Sequence, residues 1–164
     1  MLNLRITARI VVLSSLVGLA TGNSPVQAAD AVFSEANGSL LIESPRWAMR
    51  LDAQTGAIRT IEDRTATGGL LRGDANLWTI QRHNEPDLEA SACQFRRQWN
   101  AETRQLTLHF DSPDAAVKIV CTAEAEGPAW QAEVRMKRGT MLQWRFPNGL
   151  QFDVAPMNEF IFPE

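Results

Sequence analysis

Few side chains in this chain have the types and spacing for chemistry. The only histidines are His83 and His109. His83 opens the run His83-Asn84-Glu85-Pro86-Asp87, where three of five side chains could bind a metal or move a proton, although polar loops of this kind are common. His109 alternates with Leu108 and Phe110, which puts it on the outward side of a strand, as a solvated residue or as a base or ligand. Six acids, Asp63, Asp74, Asp111, Asp114, Asp153 and Glu159, stand at turns or strand ends. Two of them brought together would make the acid–base pair of glycosidic-bond hydrolysis. Turn chemistry accounts for Asp63, Asp111 and Asp114. Glu159 follows an asparagine in a segment that breaks the strand pattern and is the least explained. There are five tryptophans and no tyrosine, and an indole can fill a core or stack on a sugar ring. Trp130 and Trp144 are in phase with core positions. Trp78, beside the His83 run, and Trp99, at a strand end next to a polar loop, are better placed for sugar, with core packing as the alternative. The weak sugar-contacting candidates are therefore Trp78, Trp99, His83 and Glu159. There is no Gly-rich phosphate loop, HExxH, CxxC or GxSxG, so the sequence assigns no catalytic residue, no metal set and no cofactor.

The elements that must position these groups are strands. The organising stretch is Ser44–Leu71. Trp47, Met49 and Leu51 alternate with Ala48, Arg50 and Asp52, the period of a half-buried strand. Asp52-Ala53-Gln54-Thr55-Gly56 supplies a turn. If Asp52 faces Ala57, then Leu51 meets Ile58 and Met49 meets Thr60. Ile61 is out of phase with Ile58, which requires either two buried faces or a bulge. Before this hairpin, Asp30–Asn37 has no clear period and Ser39–Glu43 is a strand after the Asn37-Gly38 turn. Asn37-Gly38-Ser39 is also a glycosylation sequon. After it, the pattern predicts strands at Asn76–Arg82, Ser91–Trp99, Arg104–Phe110, Ala115–Ala123, Trp130–Met136, Met141–Phe146 and Leu150–Val154. A polar loop is expected at His83–Leu88. The inward set includes Phe95, Leu106, Leu108, Phe110, Val117, Ile119, Cys121, Trp130, Val134, Leu142, Trp144 and Phe146. No mature stretch holds a helical period, so the fold class is all-β, an antiparallel β-sandwich.

Four-residue loops at Asn100–Thr103 and Asp111–Asp114 would set Trp99 opposite Arg104 and Phe110 opposite Ala115. Cys93 and Cys121 then lie about 20 Å apart along the strands at about 3.3 Å per residue, against a limit of about 7 Å between bridged Cα atoms. Free thiols are expected, and a sheet that folded over would restore a bridge.

Arg5 and Arg9, the apolar run Ile10–Ala20 and the small residues around Val26-Gln27-Ala28 have the layout of a signal peptide over residues 1–28. The run is too short for a membrane span of about 20 residues. Export to a periplasm or beyond would leave residues 29–164 as the β-sandwich domain, with 14 Lys and Arg against 19 Asp and Glu, a net charge of −5. That balance argues against nucleic acid and anionic membranes as partners. Phe160-Ile161-Phe162-Pro163-Glu164 has no polar tail, which leads us to expect further chain in the natural protein.

The pattern W-x-M-R-L-D-x-x-T-G-x-I-x-x-I-x-D-x-x-T-G-x-x-L-L, carried by Trp47, Leu51, Asp52, Thr55-Gly56, Ile58, Ile61, Asp63, Thr67-Gly68 and Leu70-Leu71, resembles the opening of galactose-mutarotase-like β-supersandwich domains. The Leu77–Ile80 strand, the Phe146–Leu150 turn and Phe160–Glu164 fit as well. Such domains stand at the front of secreted bacterial glycoside hydrolases and polysaccharide lyases. The resemblance implies a supersandwich, incomplete at this length, that is accessory to a catalytic domain downstream. Carbohydrate would be its partner, and that downstream domain, usually a (β/α)8 or (α/α) barrel in such enzymes, would supply the catalytic acids. The His and Glu of true mutarotases have no counterpart motif here. The alternatives are a free-standing glycan-binding module, a small mutarotase or lyase built on His83 or His109, and a scaffolding sandwich.

Overall fold

The computed structural model describes residues 3–8, 31–65, 70–73, 76–125, 127–148 and 151–153. Their strands are β1 (Asn3–Ala8), β2 (Val32–Ala36), β3 (Ser39–Glu43), β4 (Trp47–Asp52), β5 (Ile58–Asp63), β6 (Leu70–Arg72), β7 (Thr79–Arg82), β8 (Glu85–Glu89), β9 (Gln94–Asn100), β10 (Gln105–Asp111), β11 (Ala115–Glu124), β12 (Gly127–Met136), β13 (Met141–Arg145) and β14 (Gln151–Asp153). Helix is confined, among the described residues, to the single 3-10 turn Ala90–Ala92. All pairings are antiparallel, in sheets ordered β14-β6-β5-β4-β3-β2, β1-β12-β11-β10-β9 and β13-β7-β8. The all-β, sandwich-like class is as the alternation predicts.

The organising hairpin forms with a bulge. Leu51 pairs with Ile58, but Met49 pairs with Ile61 rather than Thr60, because the register shifts between Arg50 and Leu51. The extra residue re-phases the strand, so Ile58 and Ile61 are both buried. The turn is held by Asp52, whose carboxylate accepts from the Gln54 and Thr55 amides at 2.8 and 2.9 Å and pairs with Arg59 at 2.6 Å. Burial alone would push this carboxyl up, but the Arg59 guanidinium and these amides hold it at about 2. A carboxyl depressed on folding stabilises the fold above its unfolded value and loses that contribution as pH falls through its folded value. In acid titrations of stability, the gap between the wild type and Asp52→Asn is therefore steady above about pH 5 and closes between about pH 4 and about pH 2.

Three local expectations are corrected. Asp30–Asn37 contains a strand, β2, joined to β3 through Asn37 and Gly38 at φ +50° and +72°, the left-handed pair of a two-residue hairpin turn. β2 is an edge strand with one ring turned inward, Phe33, so it shows no sequence period. The His83–Leu88 segment is no open loop. His83-Asn84 is the turn of a β7–β8 hairpin, with Asn84 at φ +55° and the His83 amide bonded to Thr140 O at 3.1 Å. Leu142 faces solvent, 58 % exposed, because a register shift between Met141 and Gln143 turns it away from the core that holds Met141, Trp144 and Phe146.

The core lies between the sheets. Leu40, Ile42, Met49 and Leu51 come from one side, and Leu106, Leu108, Phe110, Ile119 and Trp130 from the other. Polar ties cross it. The Trp47 indole donates to Glu124 O at 2.9 Å, Arg97 donates to Ala53 O at 2.7 Å and pairs with Glu35, and Phe33 stacks on Trp99. The indole N–H groups of Trp78, Trp130 and Trp144 are buried and find no acceptor among the described residues. β1 falls within the stretch read as an export leader and pairs along β12. Without it β12 becomes the sheet edge, where Glu133 and Arg135 are exposed and charged side chains oppose edge-to-edge association. None of the described helices is long and apolar enough to cross a membrane.

Candidate functional site

Sequence alternation gives the outward sides of β9–β12 their polar side chains, and strand register sets which of these are neighbours. In both hairpins the register differs by two residues from the one expected. The first loop sits one residue later, with Asn100 opposite Gln105 and Arg104 at φ +53°. The second is a two-residue turn at Pro113-Asp114. It is closed by the Ser112 amide on Ala115 O at 2.9 Å, while Ser112 Oγ accepts from the Asp114 and Ala115 amides. The even shift keeps each residue on its expected face. Cys93 and Cys121 still stand far apart along the sheet, and both are free thiols. Burial pushes both upward, Cys121 most strongly, so neither is a ready nucleophile.

What the shift changes is who stands beside His109. Its partners are Arg96 on β9 and Lys118 on β11, and Lys118 is followed by Glu133 on β12. Strands about 4.8 Å apart make this a row about 14 Å long. One step along, Asp111, Ala116 and Arg135 form a second row. Ala116 is the short residue among taller ones, and a depression of about 320 Å³ opens above it. Two more, of about 360 and 220 Å³, flank it along Arg96–His109 and Lys118–Gln131. Arg96, His109, Lys118, Glu133 and Arg135 are all exposed. Partial loss of hydration, then the charges of Lys118 and Arg96, push His109 below its ordinary range, so the ring is neutral at neutral pH. Lys137 bonds Asp111 at 2.6 Å and holds that carboxyl below its usual value. The result is a shallow face with three cations, a neutral imidazole, Glu133, and one carboxylate already occupied.

Among the described residues, the sugar-contacting candidates Trp78, Trp99 and His83 are not brought together. Trp78 is wholly buried, edge-on to Phe110 at 5.5 Å, so it offers no surface to a sugar. Both sides of its segment are covered, since Leu77, Thr79 and Ile80 are buried too. Trp99 is half-buried with its ring stacked on Phe33 at 4.9 Å. His83 is exposed at a hairpin tip, 3.1 Å from the Asn84 amide group. Glu159 lies outside the described residues, as do Asp74 and the Thr67-Gly68 part of the opening motif. Asp63 caps the Thr65 amide at 2.8 Å, and Asp114 pairs with Arg82 and Arg138. No three His, Cys, Asp or Glu groups among the described residues are placed to hold a metal ion. Lys118, Glu133 and Arg135 carry no motif. Only the correct register would have lined them up with His109. Comparisons with protein-family models, curated proteins and solved structures found no match to this chain.

Proposed function

We propose that this chain is an exported, non-catalytic β-sandwich domain of a carbohydrate-active protein, accessory to a glycoside hydrolase, and that it contacts glycan. The supporting observation is the outer face of β9–β12. It is an open, polar, shallow surface of several sugar widths, lined by side chains that can meet hydroxyl groups. The opening motif and the leader-like start point the same way. In native affinity gels the chain is retarded by at least one polysaccharide of a plant and animal panel, and it releases no reducing ends from any of them. Unretarded migration with every glycan overturns the proposal.

A further inference from the structure

We infer that the outer face of β9–β12 binds a linear glycan bearing carboxylate groups, a polyuronate, along Arg96, His109, Lys118 and Arg135. The assignment rests on the glycan-contacting role proposed above and names the class of glycan.

Charge is the first reason. The chain carries a net −3, yet this face presents Arg96, Lys118 and Arg135 as exposed cations. One of its two acids, Asp111, is already bonded to Lys137. A guanidinium presents a planar donor fork that fits a carboxylate with two parallel bonds. Arg96 and Arg135 stand at opposite sides of the Ala116 depression, where successive charged units of one chain could reach them. Spacing is the second reason. The rows step by about 4.8 Å per strand, close to the length of one pyranose unit, so a polymer running across the strands keeps phase with the side chains.

Glu133 then separates polyuronate from a densely sulfated chain. A carboxylate side chain only accepts hydrogen bonds, and the free hydroxyls of a uronate unit donate them. A polymer with sulfate at those positions would set like charges against Glu133. His109 is the neutral member of the row, flanked by Arg96 on β9 and Lys118 on β11, with Asp111 two residues along its own strand. An anion laid over it favours the protonated ring, so binding takes up a proton.

The test is affinity electrophoresis of the full chain against polygalacturonate, the same polymer with its carboxyls reduced to hydroxymethyl groups, and dextran sulfate. Retardation by polygalacturonate is expected. It should weaken about tenfold on carboxyl reduction and about tenfold again in Arg96→Glu/Lys118→Glu, with unchanged melting, since both side chains are exposed. Affinity should rise from about pH 7.5 to about pH 5.5, and His109→Gln should flatten that rise. If the carboxyl-reduced polymer or dextran sulfate binds equally well, or the charge-reversed protein binds normally, the polyuronate site is wrong while glycan contact stands. If no glycan in the wider panel binds, both fall.

Discussion

Replacing Arg82 with methionine lowers the stability of the chain by about 3 kcal/mol, a fall of roughly 10 °C in melting temperature for a domain of this size. The Arg82 side chain is 8 % exposed and bonds three oxygens, Glu85 Oε2 at 2.6 Å, Asp114 Oδ2 at 2.9 Å and Pro86 O at 2.8 Å. It therefore fastens the β7–β8 hairpin to the β10–β11 turn, joining the three-stranded sheet to the five-stranded one. Methionine keeps much of the volume but leaves two carboxylates without their shared cation. Breaking a buried pair costs about 3–5 kcal/mol. The lower end applies because Glu85 is 42 % exposed and Arg138 still holds Asp114. Arg82→Lys keeps the charge but cannot reach three acceptors from one fork, and it should fall between the two in urea titrations. A methionine variant within about 0.5 kcal/mol of wild type would mean that this ion cluster does not join the sheets.

Gly56→Ala should cost about as much, by a different route. Gly56 sits at φ +69°, where a Cβ is penalised by about 1–2 kcal/mol. It also lies against the core, and an added methyl carbon would stand 2.7 Å from the Phe95 ring and 3.1 Å from Phe110. Overpacking of that kind adds about 1–3 kcal/mol. Gly38→Ala is the control, with the same backbone strain at φ +72° and no atom within 4 Å of the new carbon. Its loss should be about 1–2 kcal/mol. The difference between the two alanines in a denaturant series isolates the contact between the hairpin tip and the opposing sheet. Equal losses would show that the tip does not press on the aromatic pair.

The fold class and the inward faces were legible because side-chain period alone decides them. Leu106, Leu108, Phe110, Val117, Ile119, Trp130 and Val134 all point where alternation sends them. Strands with weak contrast were not legible. β2 buries one ring, and β8 buries only Leu88 among Glu85–Glu89. The candidate site was missed because it depends on register. A loop one residue earlier at Asn100 and a turn two residues longer at Ser112 would place His109 between Gln94 and Ala116 instead of Arg96 and Lys118. Those offsets are set by Ser112 Oγ and by a left-handed Arg104, neither of which has a sequence signature as strong as Asn37-Gly38. Trp78 misled because an indole beside a polar hairpin looks like a platform, and only the burial of both sides of its segment shows otherwise.

The buried tryptophans have another consequence. With no tyrosine in the chain, near-ultraviolet emission comes from indoles alone. Trp47, Trp78 and Trp130 are each at most 3 % exposed, and the Trp78, Trp130 and Trp144 nitrogens meet no acceptor among the described residues. Light emitted from such dry rings is short in wavelength and shifts to the red once water reaches them. The interior therefore reports its own opening, and a ligand seated on the outer face of the five-stranded sheet would leave that signal unchanged.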